Sequence, residues 1–178
     1  DPASIRLVIL THLHIDHASA IADFPDSTLI VTANEWEAAT SGAMPFREGY
    51  RREQFDYAFD YRTVSFDTDD VNSYASFGRT IDLFGDGSIR LASTSGHTSG
   101  HQSVIVRLKD RDMVIGGDAV YLSSQLEPGS DLPGRIVDEH NFRRSLQELR
   151  LFHSQYPESV ITPGHDKSFY DSAPAVWE

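Results

Sequence analysis

A mixed α/β fold is predicted by three features: short strand-length apolar runs interleaved with helix-period stretches, a length of 178 residues, and no internal repeat or linker. That length suits one domain, residues 1–178, with a sizeable core. Ile5 to Leu10 is the first apolar run and feeds a dense cluster, Thr11-His12-Leu13-His14-Ile15-Asp16-His17. The cluster reads as extended, because alternation would set His12, His14 and Asp16 on one side of the chain. His17 then precedes a short helix expected over Ala18 to Ala22. Leu29 to Thr32 is a second strand, followed by a helix from Asn34 to Ala39. Asn34 is its expected cap, with Glu35 and Glu37 in the first turn, where the helix dipole favours acids.

From Ser41 to about Gly78 the periodicity gives way to charges and aromatics: Phe46, Tyr50, Phe55, Tyr57, Phe59, Tyr61, Phe66, Tyr74 and Phe77. So long an irregular stretch reads either as a lid or pocket wall, or as an insertion packed on the core. Phe24 and Trp36 read as core. Regularity returns with Thr80 to Phe84, the turn Gly85-Asp86-Gly87-Ser88, and Ile89 to Ala92, a hairpin pattern. Ser103 to Leu108 and Met113 to Ile115 form a second pair across a polar turn. Val137 to Gln155 is the clearest helix: Phe142, Leu146, Leu149 and Phe152 recur at helical spacing and Pro157 closes it. Val160 to Thr162 is the last strand.

Composition narrows the chemistry. Formal net charge is −12 and no Lys/Arg block occurs, which argues against nucleic acid and anionic membrane as partners. Bound divalent cations would offset part of that charge. Cysteine is absent, so no disulfide framework exists and any metal site must use His, Asp and Glu. No apolar run approaches the ~20 residues of a membrane span, and cytoplasm is the expected compartment.

Three imidazoles and a carboxylate within six positions at a strand end suit a borderline cation such as zinc; the competing reading is a solvated His-rich loop. Three further stretches repeat the design of apolar strand, small-residue turn and ligand-type residue. They are Leu91-Ala92-Ser93-Thr94-Ser95-Gly96-His97, Val114-Ile115-Gly116-Gly117-Asp118 and Val160-Ile161-Thr162-Pro163-Gly164-His165. Glycine beside each ligand allows a sharp turn, and strand ends are rigid supports.

In this order, His12-x-His14-x-Asp16-His17, His97, Asp118 and His165 resemble the metallo-β-lactamase superfamily of dinuclear metal hydrolases. The resemblance implies an αββα sandwich with two divalent ions, most suitably Zn2+, at one edge of the sheets. It implies that His12, His14 and His97 hold the first ion, that Asp16, His17 and His165 hold the second, and that Asp118 bridges them. Since several strands precede the opening motif in that family, the domain is expected to be N-terminally truncated, and a homodimer is one way to cover the exposed sheet edge.

Within the superfamily the chain is most similar to the N-acyl-homoserine lactonases. The similarity rests on Thr11 to Ala18, on Ser95-Gly96-His97-Thr98-Ser99-Gly100-His101-Gln102-Ser103, on Gly117-Asp118-Ala119-Val120-Tyr121 and on Gly164-His165-Asp166. Ser95 and Ser99 stand where that family has proline. The resemblance implies a small-molecule lactone substrate, opened by a hydroxide bridging two metals, with Tyr121 on the substrate carbonyl. Asp118, Tyr121 and Asp16 are the expected catalytic residues, Asp118 passing the proton to the leaving alkoxide. His101 is expected to make a supporting hydrogen bond or to pack in the core. His140 and His153 read as surface residues, and Asp166 as either an orienting group or a solvated acid. The rival functions are a phosphotriesterase or thioesterase on the same fold, and a non-catalytic metal-binding module.

Overall fold

Strand β1, Leu7–Ile9, forms within the first apolar run and pairs in parallel with β2, Thr28–Thr32; β2 pairs in parallel with β3, Asp60–Val64. The structure, a computed structural model, describes residues 1–41, 45–57, 60–133 and 135–177, without the side chains of Pro45 and Phe46. It divides into two compact units, residues 1–65 and 66–178, each with its own core. Phe59 and the side chain of Phe46 lie outside the described residues.

In the first unit, Leu10, Leu13, Leu29, Val31, Tyr50 and Phe55 pack together as core residues, with Trp36 against them. The helix after β2, α2, runs Ala33–Ser41, so Asn34 lies inside it rather than capping it. The cap is Thr32, whose hydroxyl accepts the Glu35 N–H at 3.1 Å. The stretch after Ser41 carries short helices α3, Pro45–Glu48, and α4, Arg52–Phe55, and then β3. Tyr50 and Phe55 are buried, and the Trp36 ring lies 4.5 Å from that of Tyr61. These aromatics are core residues, because a three-stranded parallel sheet needs bulk on its faces.

The second unit is a six-stranded sheet: β4 Asn72–Tyr74, β5 Phe77–Asp82, β6 Ile89–Ser93, β7 Gln102–Arg107, β8 Asp112–Gly117 and β9 Val160–Pro163, in that order across the sheet. Both expected hairpins are present, β5 with β6 and β7 with β8. Because β6, β7 and β8 alternate in direction and β9 is parallel to β8, the C-terminal ends of β6, β8 and β9 share one sheet edge. Those are the strands that precede His97, Asp118 and His165.

Helix α5, Glu139–Gln155, buries Phe142, Leu146, Leu149 and Phe152, as the spacing predicts. They pack in one core with Phe77 and Val114. A further helix, α6, Lys167–Ser172, follows His165. Among the described residues, no helix is long and apolar enough to cross a membrane.

Asp138 caps α5, accepting the Asn141 backbone N–H at 3.0 Å and its side-chain amide at 2.7 Å. These donors hold the Asp138 carboxyl below its ordinary value. A depressed folded-state value stabilises the fold above the unfolded-state pKa of about 4, and the contribution is lost as pH falls through the folded-state value. Asp138→Ala is therefore expected to lower the thermal midpoint at neutral pH, and the gap from the parent should narrow in melts run below about pH 4.

Candidate functional site

In the first unit, β1 ends just before the histidine cluster. His12 and His14 are buried, and their rings meet edge to face at 4.7 Å. The His12 and His17 ring centroids are 4.1 Å apart, and Nε2 of His17 lies 3.5 Å from Oδ2 of Asp16. The extended reading holds only as far as His14. Helix α1, Ile15–Ala18, begins directly after it, so Asp16 and His17 project from a helical turn, about 100° apart. The carbonyl of His14 accepts from the N–H groups of His17 and Ala18, while Ile15 N–H reaches Gly49 O at 3.3 Å. The helix expected over Ala18 to Ala22 is instead a 3-10 turn at Ile21–Asp23.

Two residues that sequence reasoning did not assign to the site hold this cluster in place. Glu35 is fully buried, and its Oε1 accepts the Leu13 N–H, between the two histidines, at 2.9 Å. Tyr50 forms an isolated antiparallel bridge with His14, and their rings lie 5.0 Å apart. The helix dipole accounted for Glu35 in the first turn without pointing to the site, and nothing local to Tyr50 marked it. Glu35→Ala would leave a buried amide without this acceptor and is expected to cost roughly 1–3 kcal/mol, measured by urea unfolding.

In the second unit, Asp118 follows β8 and is almost fully buried. Its Oδ2 lies 3.2 Å from Nε2 of His97, and its Oδ1 lies 3.2 Å from Nε2 of His165. Such separations are those of neighbouring ligands on one ion with bonds of about 2.1 Å. The carbonyl of Arg135 lies 3.2 Å from Nδ1 of His97. A carbonyl only accepts, so the proton sits on Nδ1 and the Nε2 lone pair faces Asp118.

Tyr121 lies in the same group. Its hydroxyl is 2.8 Å from Nδ1 of His97, and its ring stacks on His165 at 5.0 Å. The single Nδ1–H of His97 is then shared between the Arg135 carbonyl and the phenol oxygen, so the phenol accepts and keeps its own proton to give away. Backbone pairing aligns the two segments: Gly164 N–H donates to Val120 O and His165 N–H to Tyr121 O. Gln125, also unassigned from the sequence, accepts from Tyr121 N–H at 2.7 Å and donates to Asp131 O at 3.0 Å. It thereby closes the loop after Tyr121 around a cavity of about 580 Å³, lined by Leu122, Leu132 and Pro133 with Tyr121 and His165.

Asp166 accepts from the Ser168 hydroxyl at 2.5 Å, the Ser123 N–H at 2.9 Å and the Phe169 N–H at 3.2 Å. It is thus the cap of α6 and a tie to the segment beyond Tyr121. These donors hold its carboxyl well below the usual carboxylate range.

The donor chemistry fits divalent cations in both units. One contributes imidazoles with an adjacent carboxylate, and the other sets a buried carboxylate between two imidazole nitrogens. Gly164 adds a second indication, because a Cβ there would lie 2.5 Å from Oδ1 of Asp118. Only glycine leaves that oxygen room.

A family model described as the metallo-beta-lactamase superfamily matches residues 1–165. The N-acyl homoserine lactonase AttM of Rhizobium radiobacter is 34% identical over 168 residues, covering 93% of this chain and 60% of the relative. The N-acyl homoserine lactonase AiiB of Agrobacterium fabrum is 29% identical over 184 residues, covering 96% and 60%. Among solved structures, a mutant of B. thuringiensis AiiA with N-decanoyl-L-homoserine bound at its active site has TM-score 0.75 and 23% identity, covering 98% of this chain and 61% of that one. The chain thus spans about 60% of the length of these relatives. The motif order seen in the sequence, the mixed α/β architecture shared with these structures and the family match point the same way: the chain belongs to the metallo-β-lactamase superfamily.

Proposed function

We propose that this chain carries the centre of a metal-dependent hydrolase that opens the ring of N-acyl-homoserine lactones or related lactones. The observation that carries the reading is the Asp118 carboxylate set 3.2 Å from both His97 and His165, with the Tyr121 hydroxyl alongside. The names of the AttM and AiiB relatives support lactones as the substrate class.

In this reading two divalent ions, zinc being the best match to the donors, are held by seven side chains. By the family resemblance, His12, His14 and His97 would hold one and Asp16, His17 and His165 the other, with Asp118 contributing to both. When bound, such ions supply a water acidic enough to be hydroxide near neutral pH and a positive field for developing oxyanions. The protein's own groups do the rest. Tyr121 donates its phenol proton in a hydrogen bond to the lactone carbonyl oxygen, and the His97 Nδ1–H behind it strengthens that donor. Asp118 takes up at a carboxylate oxygen the proton shed by the water-derived hydroxyl as it adds to the lactone carbonyl, and passes it to the alkoxide released when the ring C–O bond breaks. Asp16 would hold the second ion in place together with His17. The cavity beside Leu122, Leu132 and Pro133 offers an apolar wall for the acyl arm.

Tyr121→Phe is expected to reduce lactone turnover about a hundredfold with metal content unchanged, since one oxyanion donor is lost. Unchanged turnover would remove the phenol from the reaction. The function itself is tested on metal-quantified protein with three substrates: a long-chain N-acyl-homoserine lactone, paraoxon and a glutathione thioester. Preference for the lactone supports the reading, preference for either other substrate replaces it, and bound metal with no turnover makes the chain a metal-binding module.

A further inference from the structure

His101 lies outside the seven proposed ligands, yet it is buried, as are Thr94 and Ser103 beside it. Burying three polar side chains together is costly unless every one is bonded. Here they form a single line. The backbone N–H of Asp118 lies 3.0 Å from Nε2 of His101. Nδ1 of His101 lies 2.9 Å from Thr94 Oγ1, which lies 2.8 Å from Ser103 Oγ, and Ser103 donates to the Gly116 carbonyl at 3.1 Å.

Both ends of this line are backbone groups of fixed polarity, so every proton in it is assigned. The Asp118 N–H can only donate, which leaves Nε2 of His101 bare and puts the imidazole proton on Nδ1. The Gly116 carbonyl can only accept, so Ser103 donates to it, Thr94 donates to Ser103, and His101 donates to Thr94. The line therefore starts and ends on the same three-residue bend, Gly116-Gly117-Asp118, whose middle residue has φ of +53°. That bend delivers the Asp118 carboxylate to the end of β8.

We propose that His101, held as the Nδ1–H tautomer through Thr94 and Ser103, is a positioning residue that locks the bend presenting Asp118. It acts through the Asp118 backbone amide, not on substrate. The inference rests on the reading of Asp118 as a metal ligand, but its test does not depend on which ester is cleaved.

Long-range nitrogen–proton NMR spectra of nitrogen-15-histidine-labelled protein should show the Nδ1–H tautomer for His101; a proton on Nε2 would overturn the proposal. Zinc affinity is then compared for His101→Leu, which removes both bonds, and His101→Gln, whose amide oxygen can still accept from Asp118. The Leu variant is expected to bind zinc about 10- to 100-fold more weakly, with the Gln variant recovering most of the loss. If His101 only packs the core, both variants should melt earlier yet bind zinc like the parent, and that result would also overturn it. Should the Leu variant fail to fold, His101→Phe, which keeps a ring but removes both bonds, takes its place: zinc affinity about 10- to 100-fold below that of the Gln variant supports the proposal, and parental affinity rejects it. A parent protein that binds zinc, shows this tautomer and cleaves no lactone would refute the substrate reading alone.

Discussion

Asp118→Asn is expected to lower turnover of the preferred ester by about a thousandfold or more and to weaken metal binding, with the fold retained. The substitution keeps the shape of a side chain that is only 3% exposed but removes its charge. A carboxylate offers two anionic oxygens to cations held beside the two imidazole nitrogens 3.2 Å away, whereas a carboxamide offers one neutral oxygen and a nitrogen that cannot coordinate. Proton uptake at this position is lost as well. Steady-state kinetics should be read together with metal content by mass spectrometry. The metal-free variant should melt no earlier than the metal-free parent, because burying a charge without its cation is itself unfavourable. A variant with parental turnover would exclude Asp118 from the chemistry.

Gly96→Ala is expected to be the most destabilising small substitution near the site. Gly96 has φ of +133°, where a side chain is strained, and a Cβ there would lie 2.2 Å from the backbone nitrogen of Phe142. The neighbour is the first turn of α5, which cannot yield as a flexible side chain would. The Gly96 carbonyl accepts from the N–H groups of Val137 and Asp138, each at 2.9 Å, and Ser145 donates to Ser95 O at 2.8 Å. The loop that presents His97 is thus strapped to the helix it would have to leave. Backbone strain of about 1–3 kcal/mol and overpacking of about 1–3 kcal/mol together give roughly 2–6 kcal/mol, a large share of a typical domain's 5–15 kcal/mol. Urea unfolding of the variant measures the loss. A midpoint shift within error would mean that this strap does not hold in solution.

Elements set by neighbours along the chain are legible in the sequence. Leu7 to Ile9, both hairpins and the buried face of α5 follow from periodicities of two and 3.6, which depend only on residues a few positions apart. The strand-end placement of His97, Asp118 and His165 was visible for the same reason. The alternation in the histidine cluster misled at Asp16 because the first helical turn is secured by Gly49, far along the chain. The aromatic stretch left two readings open because Tyr50, Phe55 and Phe77 have no local period; their burial favours the insertion packed on the core.

Which residue types could bind metal, and in what order, was determined by the sequence alone, since ligand chemistry resides in the side chain itself. How those side chains are held was decided only by tertiary structure. Glu35 reaches Leu13 across 22 residues, and Arg135 orients His97 across 38. The line through His101 joins β6 and β7 to the end of β8. A backbone amide or carbonyl is the same in every residue, so no sequence pattern reveals which one a buried side chain will meet. That choice is made when distant strands pair, and it turned the dense cluster of His12 to His17 from a list of candidate ligands into a braced set of side chains.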